Sequence, residues 1–172
     1  ICPRRCALAE GQRGFCRARV CRGGAVVCEN YGRVTSLALD PIEKKPLRRF
    51  FPGEKILSVG GYGCNMDCAY CQNCSISRAD AQSVRWDEIS PEALVTLAEG
   101  YRPQGNIGLA FTYNEPLVGY EFVLDCAKRA KPRGLRIVLV TNGMIEPKPW
   151  EKLLPYVDAA NIDLKCFSAE GY

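Results

Sequence analysis

Residues 55–74 read KILSVGGYGCNMDCAYCQNC. The first six, KILSVG, read as a strand, and the loop after it carries Cys64, Cys68, Cys71 and Cys74 within eleven positions. So dense a set of thiols binds a metal, forms disulfides or does redox chemistry. The sequence around the loop narrows that choice and also decides the fold.

Downstream, strands and helices alternate. Ser90 is an N-cap with Pro91 at the first helical position, opening SPEALVTLAEGY. NIGLAFT (106–112) is the next strand, and Pro116 starts a helix to about Lys131 with Phe122, Cys126 and Ala130 on one face. LRIVLV (135–140) reads as a buried strand, WEKLLPYV (150–157) as a short helix and AANIDLK (159–165) as a fourth strand. That order predicts parallel strands with helical crossovers, an α/β sheet or barrel covered on both faces.

Polar residues collect at one set of strand ends. The cysteine loop follows the first strand, TYNEP (112–116) the second and TNG (141–143) the third, while NIDLK (161–165) closes the fourth. In a parallel barrel these points share the carboxyl-terminal rim, where such folds place their chemistry. A period of two puts Asn161, Asp163 and Lys165 on one face of the last strand and Ile162, Leu164 and Cys166 on the other. A polar row turned inward predicts a polar ligand in the lumen, with the other row facing helices.

Residues 1–33 are different in kind. They hold seven arginines against Glu10 and Glu29, a formal charge of +5, while residues 34–172 sum to −1. Five cysteines (Cys2, Cys6, Cys16, Cys21 and Cys28) and repeated glycines describe a small loop-rich module that cannot build its own core. A short β segment around 25–39 and the basic stretch PIEKKPLRRFFPG (41–53) follow, so residues 34–54 read as a linker and 55–172 as the main body.

At 172 residues, 47% hydrophobic and 24% charged, the chain is long enough for one packed domain with a small appendage. No apolar stretch approaches the ~18 residues of a membrane span, and no secretory leader is present. The expected setting is the cytoplasm, where clustered thiols hold metals. Both ends look cut, so a fragment of a longer protein is expected. With 11 cysteines and no histidine, complete internal pairing is impossible, and Cys-His zinc fingers, His triads and Rieske ligation are excluded.

The spacing C-x3-C-x2-C of Cys64, Cys68 and Cys71 suits neither of the common closed sites. Zinc wants paired C-x2-C knuckles with four ligands, and ferredoxin clusters want four cysteines. Three cysteines on one loop can instead hold three irons of a [4Fe–4S] cube and leave the fourth open to a ligand.

This loop, with Tyr70 before its last cysteine, resembles the signature of radical S-adenosylmethionine (SAM) enzymes. TYNEP stands where those enzymes carry the acidic motif for the amino group of SAM, and NIDLK resembles the DLK segment of glycyl-radical activating enzymes. Together CPRRCALAEGQRGFCRAR (2–19), YGRVTSLALDPIEKKPL (31–47) and CQNCSIS (71–77) resemble the AmmeMemoRadiSam-system radical SAM enzymes, relatives of the pyruvate formate-lyase activating enzyme. Where that resemblance implies KKPLYHF, this chain has KKPLRRF (44–50).

The resemblance implies a TIM-like partial (βα) barrel, here truncated after about four strands behind a small Cys-rich N-terminal module. It implies a [4Fe–4S] cluster on Cys64, Cys68 and Cys71, and reductive cleavage of SAM to methionine and a 5′-deoxyadenosyl radical. That radical takes a hydrogen atom from a substrate, by analogy a protein glycine. Glu115 would receive the ammonium of SAM and Lys165 its carboxylate, with Asp163 holding Lys165 or a SAM hydroxyl. Tyr70 would contact adenine, and Asn114 and Asn142 complete the cofactor contacts. A low-potential donor such as flavodoxin or ferredoxin would supply the electron.

Other readings stand beside these. Cys64, Cys68, Cys71 and Cys74 can be read as a zinc knuckle, although a fourth ligand would close the open iron. Glu115 can be a helix-start carboxylate, Asp163–Lys165 a salt bridge and Thr141–Gly143 a turn. Cys2, Cys6, Cys16 and Cys21 read either as a second metal site, zinc or iron–sulfur, or as loose reduced thiols. A rival class is a zinc ribbon-like module that docks its +5 charge on nucleic acid.

Overall fold

In chain order the computed structural model, which describes residues 1–168, runs β1 (Arg19–Arg22), β2 (Ala25–Cys28), β3 (Arg33–Val34), β4 (Ser36–Pro41), β5 (Lys55–Gly60), α1 (Cys74–Ser77), β6 (Asp87–Glu88), α2 (Pro91–Gly100), β7 (Asn106–Phe111), α3 (Tyr120–Ala130), β8 (Arg136–Thr141), α4 (Pro147–Leu153) and β9 (Ala159–Ile162). The main sheet has the order β4-β5-β7-β8-β9. Its last four strands pair in parallel, and β4 pairs antiparallel with β5. Among the described residues no helix is long and apolar enough to cross a membrane.

Side-chain alternation assigns the two faces of the sheet. Leu57, Val59, Leu109, Phe111, Ile137 and Leu139 point to one side, where Leu94, Val95 and Ala98 of α2, the Phe122, Cys126 and Ala130 stripe of α3 and Leu153 of α4 cover them. α2 begins as its sequence predicts, with the Ser90 hydroxyl accepting from the Ala93 N–H at 3.1 Å. The alternate residues Ile56, Ala110 and Val138 point to the inner side. Further along the same rows stand Thr112, Val140, Asn161 and Asp163, which line a cavity. The inner face is therefore apolar at the amino ends of the strands and polar at the carboxyl ends.

Residues 34–54, expected as a linker, are part of the packed structure. β3 pairs with β6, β4 extends the sheet, and the next stretch folds across the inner face. Ile42 is fully buried there against Ile56, Ala110 and Val138, with Leu47 and Phe50 beside it. The apolar residues of PIEKKPLRRFFPG explain this, because an inner sheet face must be covered by something. The short β segment expected over 25–39 is likewise three strands, β2 to β4.

The N-terminal module docks on the same body. Cys16 and Ala18 share a small core with Tyr62, Ala79 and Val118. Its arginines are largely occupied: Arg13 and Arg22 both pair with buried Glu29, at 2.7 and 2.6 Å, and Arg19 pairs with Glu121. Arg33 stacks 4.2 Å over the Trp86 ring. These pairs use the charge that a nucleic-acid surface would have to present.

The fourth strand is shorter than AANIDLK, ending at Ile162. Its expected helix-facing row is not covered: Ile162 is 57% and Leu164 67% exposed, and Cys166 is half-buried beside Ser168. The β8–β9 register ends at Ile162, with one further backbone bond from the Asp163 N–H to the Thr141 carbonyl at 2.8 Å.

Lys45 is 2% exposed and pairs with Asp40 at 2.9 Å, where Tyr113 and Lys44 also donate. Burial would raise the Asp40 carboxyl, but these donors outweigh it and hold it well below its ordinary 3.8. Asp40→Asn leaves a buried cation without its counter-charge and should cost about 3 kcal/mol in urea unfolding. Replacing Lys45 by Met in the same chain should recover most of that loss. Because the folded-state pKa is depressed, Asp40 contributes its stability above the ordinary carboxylate range and loses it as pH falls below. The gap between wild type and Asp40→Asn should therefore narrow in acid.

Candidate functional site

A cavity of about 560 Å³ opens at the carboxyl ends of β5, β7, β8 and β9. Cys64, Cys68, Cys71, Tyr70, Asn114, Glu115, Asn142, Asp163 and Lys165 all line it, so the structure brings the residues expected around the cluster and SAM to one place. Cys74 is exposed, begins α1 and is not among the lining residues.

The cysteine loop is held by close backbone packing. Gly63 has φ of +88°, and a β-carbon there would come within 2.4 Å of the Cys16 carbonyl oxygen, so this position requires glycine. Asn114 clamps the loop, its Oδ1 accepting from the Gly61 N–H at 3.0 Å and its Nδ2 donating to the Gly63 carbonyl at 2.9 Å. Its amide is thereby committed to the chain itself, which makes Asn114 a positioning residue rather than a free ligand contact.

The sulfurs of Cys64 and Cys71 have polar neighbours. The Met66 N–H donates to Cys64 Sγ at 3.4 Å and Asn142 Nδ2 approaches it at 3.8 Å, while Cys71 Sγ lies 3.3 Å from Ser77 Oγ. Burial pushes the Cys64 thiol up to about 11. Among the described residues no three Cys, His, Asp or Glu side chains converge tightly enough to enclose a single metal ion.

Glu115 is 3% exposed and held by the rim. Its Oε1 accepts from the Leu117 N–H at 2.9 Å and the Thr141 hydroxyl at 2.7 Å, and its Oε2 accepts from the Asn142 N–H at 2.8 Å. The helix-start reading of this residue is thus realised. Burial raises its pKa against the pull of these donors. Asn142 continues the chain of contacts to Asn65 Oδ1 at 2.9 Å. Thr141 and Asn142 are therefore more than a turn, since both fix the carboxylate.

On β9 and just beyond, Asn161 donates to Asp163 at 2.6 Å and Lys165 pairs with Asp163 at 2.8 Å. Burial lowers the Lys165 ammonium, but the Asp163 contact outweighs it and leaves it above its ordinary value. The Tyr70 hydroxyl donates to the Lys165 carbonyl at 2.7 Å, tying the cysteine loop to this strand end, while its ring is 66% exposed.

Asp40, Lys44, Lys45 and Tyr113 also line the cavity, and sequence reasoning missed them. They sit in the stretch read as a linker and beside the acidic motif. The readable signal was Ile42, Leu47, Phe50 and Phe51 set among the charges of that run. Tyr113 has φ of +72°, and its ring lies where a β-carbon on Gly60 would come within 2.7 Å. Burial and the Asp40 carboxylate push its hydroxyl up to about 12.

The family model of the radical SAM superfamily matches residues 58–172. An uncharacterized protein of Methanocaldococcus jannaschii, MJ0808, is 45% identical over 165 residues, 96% of this chain and 48% of the relative. The pyruvate formate-lyase-activating enzyme of Clostridium pasteurianum is 26% identical over 111 residues, 64% of this chain and 45% of that enzyme. QueE from Escherichia coli superposes with a TM-score of 0.58 at 14% identity, over 78% of this chain and 61% of that one, a likeness of fold. The chain belongs to the radical SAM superfamily. It spans about half the length of the relatives it matches.

The clamp makes a prediction. Asn114→Ala should cost about 1–3 kcal/mol, the loss of a side chain that satisfies buried backbone groups. Amide exchange at Gly61 should rise while that of β8 stays unchanged, a pattern that a mere ligand contact would not give.

Proposed function

We propose that the protein is a radical SAM enzyme of the AmmeMemoRadiSam type, related to activating enzymes and acting on a substrate hydrogen. The observation that supports this most is the meeting of three loop thiols with Glu115, Asn142, Asp163 and Lys165 on one cavity at the carboxyl ends of parallel strands.

The donor set fits the groups that the superfamily implies. Cys64, Cys68 and Cys71 would hold three irons of a [4Fe–4S] cluster, and the amide donors toward Cys64 would ease charge on its sulfur. When bound, the cluster supplies one electron that cleaves SAM to methionine and the 5′-deoxyadenosyl radical, which takes a hydrogen atom from the substrate.

The chain's own part is binding and orientation. Glu115 has three acceptor positions filled by protein donors, which leaves acceptor capacity for an ammonium. Asp163 holds Lys165 in place to meet a carboxylate. Tyr70 lines the cavity beside them with its ring free to stack on a base. The electron comes from a low-potential donor of the flavodoxin or ferredoxin kind, and the substrate is a protein glycine by analogy with activating enzymes. All eleven cysteines are free thiols, in keeping with a reducing cytoplasm.

In full-length protein handled without oxygen, Cys64→Ala, Cys68→Ala and Cys71→Ala should each abolish reductive SAM cleavage, and Cys74→Ala should retain it. Loss of cleavage on removing Cys74 would sink the three-ligand assignment. Lys165→Ala should weaken SAM binding roughly ten-fold, the worth of a charge-assisted hydrogen bond, without loss of the cluster. Titrating SAM while following the cluster's EPR signal measures this, and unchanged affinity would make the Asn161–Asp163–Lys165 row structural.

A further inference from the structure

The proposed function uses part of the cavity lining and leaves another part without a role. That part is Asp40, Lys44, Lys45 and Tyr113. It is built around one carboxylate. Asp40 Oδ1 accepts from Lys44 Nζ at 3.1 Å, and its Oδ2 accepts from Lys45 Nζ at 2.9 Å and from the Tyr113 hydroxyl at 2.8 Å. Two ammonium groups thus share a single anion, and one positive charge is left over.

That surplus is costly where it stands. Lys45 is 2% exposed, with its Nζ 5.2 Å from the centroid of the Tyr113 ring. Its ammonium offers three N–H groups, and among the described residues Asp40 is the one acceptor it meets. Burial lowers its pKa against the pull of Asp40. Lys44 keeps a side chain 66% exposed while it reaches the same carboxylate. The buried pair of Asp40 and Lys45 is complete in charge without it, so the second lysine on the cavity wall calls for a further anion.

We propose that Lys44 and Lys45 receive an anionic oxygen group of the substrate, a carboxylate or a phosphate, while Asp40 and Tyr113 fix the two ammonium groups. The assignment rests on the radical SAM function proposed for this cavity, because it takes SAM to be held by other residues. Lys165 meets the one carboxylate of SAM, and the adenosine part carries no anionic group, so the two lysines are left for the substrate. A compact charge on a flexible stem suits either oxyanion. A cationic substrate group would be repelled, and an apolar one would bury the open donors unmet. Tyr113 fastens the lysines to the rim: it stands directly before Asn114 and Glu115, and its carbonyl accepts from Asn73 Nδ2 at 2.8 Å. An anion held here therefore brings the rest of the substrate into the cavity that SAM shares.

In full-length protein carrying its cluster and SAM, without oxygen, calorimetric titration with acetate and with inorganic phosphate should show saturable binding of one or both. Saturation by acetate alone assigns a carboxylate to the substrate and by phosphate alone a phosphate, and each bears the site out. Lys44→Gln, at an exposed side chain that folding does not need, should weaken this binding about ten-fold, and Lys44→Arg should restore it. Saturable binding of neither anion by the unsubstituted protein, or equal affinity in Lys44→Gln, overturns the anion site. SAM titrated into Lys44→Gln and followed by EPR should bind as it does to the unsubstituted protein. A ten-fold loss there would give these lysines to the cofactor and overturn the substrate assignment. Failure of the unsubstituted protein to bind SAM would overturn the proposed function instead, and acetate and phosphate titrated into SAM-free protein would still report on the anion site.

Discussion

A carboxylate sealed from water must find donors, and the architecture of this site follows from where Glu115 finds them. One donor is the backbone just after Glu115 itself, and two come from the end of β8. The turn after β7 is thereby locked to the turn after β8. Asn142, one of those donors, also reaches Cys64 and Asn65, while Asn114 beside Glu115 holds Gly61 and Gly63. Asn142 and Asn114 thus fix the cysteine loop from two sides. Unfilled, the same bonds would leave a buried charge, so the rim forms as a unit or not at all.

The strands themselves need only alternate. Their outer rows are apolar along most of their length, and their inner rows change from Ile56, Ala110 and Val138 to Thr112, Asn161 and Asp163. That change divides the lumen into a packed half and an open half. Ile42, Leu47 and Phe50 complete the packed half, and the Asp40–Lys45 pair stands beside it. The ion pair is buried because the apolar residues on either side of it in sequence are buried.

The four parallel strands and their helices were legible because aliphatic runs, Ser90-Pro91 and the α3 stripe each speak locally. The cysteine spacing and the period of NIDLK placed their residues on the cavity for the same reason. Residues 41–53 were not legible: their charge suggested exposure, and only the empty inner face of a sheet formed elsewhere gives Ile42 and Phe50 a place to go. Asn114 was missed as a clamp because its partners are backbone groups, which leave no trace in sequence. The open outer row of Ile162 and Leu164 shows the limit of periodicity, which assigns faces but not what covers them.

The depth of the cavity is set by a connection rather than by the barrel. Residues 42–50 cross the lumen between β4 and β5, and both strands are anchored by their own pairing. Lengthening, shortening or recharging that crossing would raise, lower or retune the floor while the cysteine loop and the strand ends stayed where they are. One scaffold can in this way keep its cysteine loop and strand ends constant and refit the chamber for guests of different size and charge.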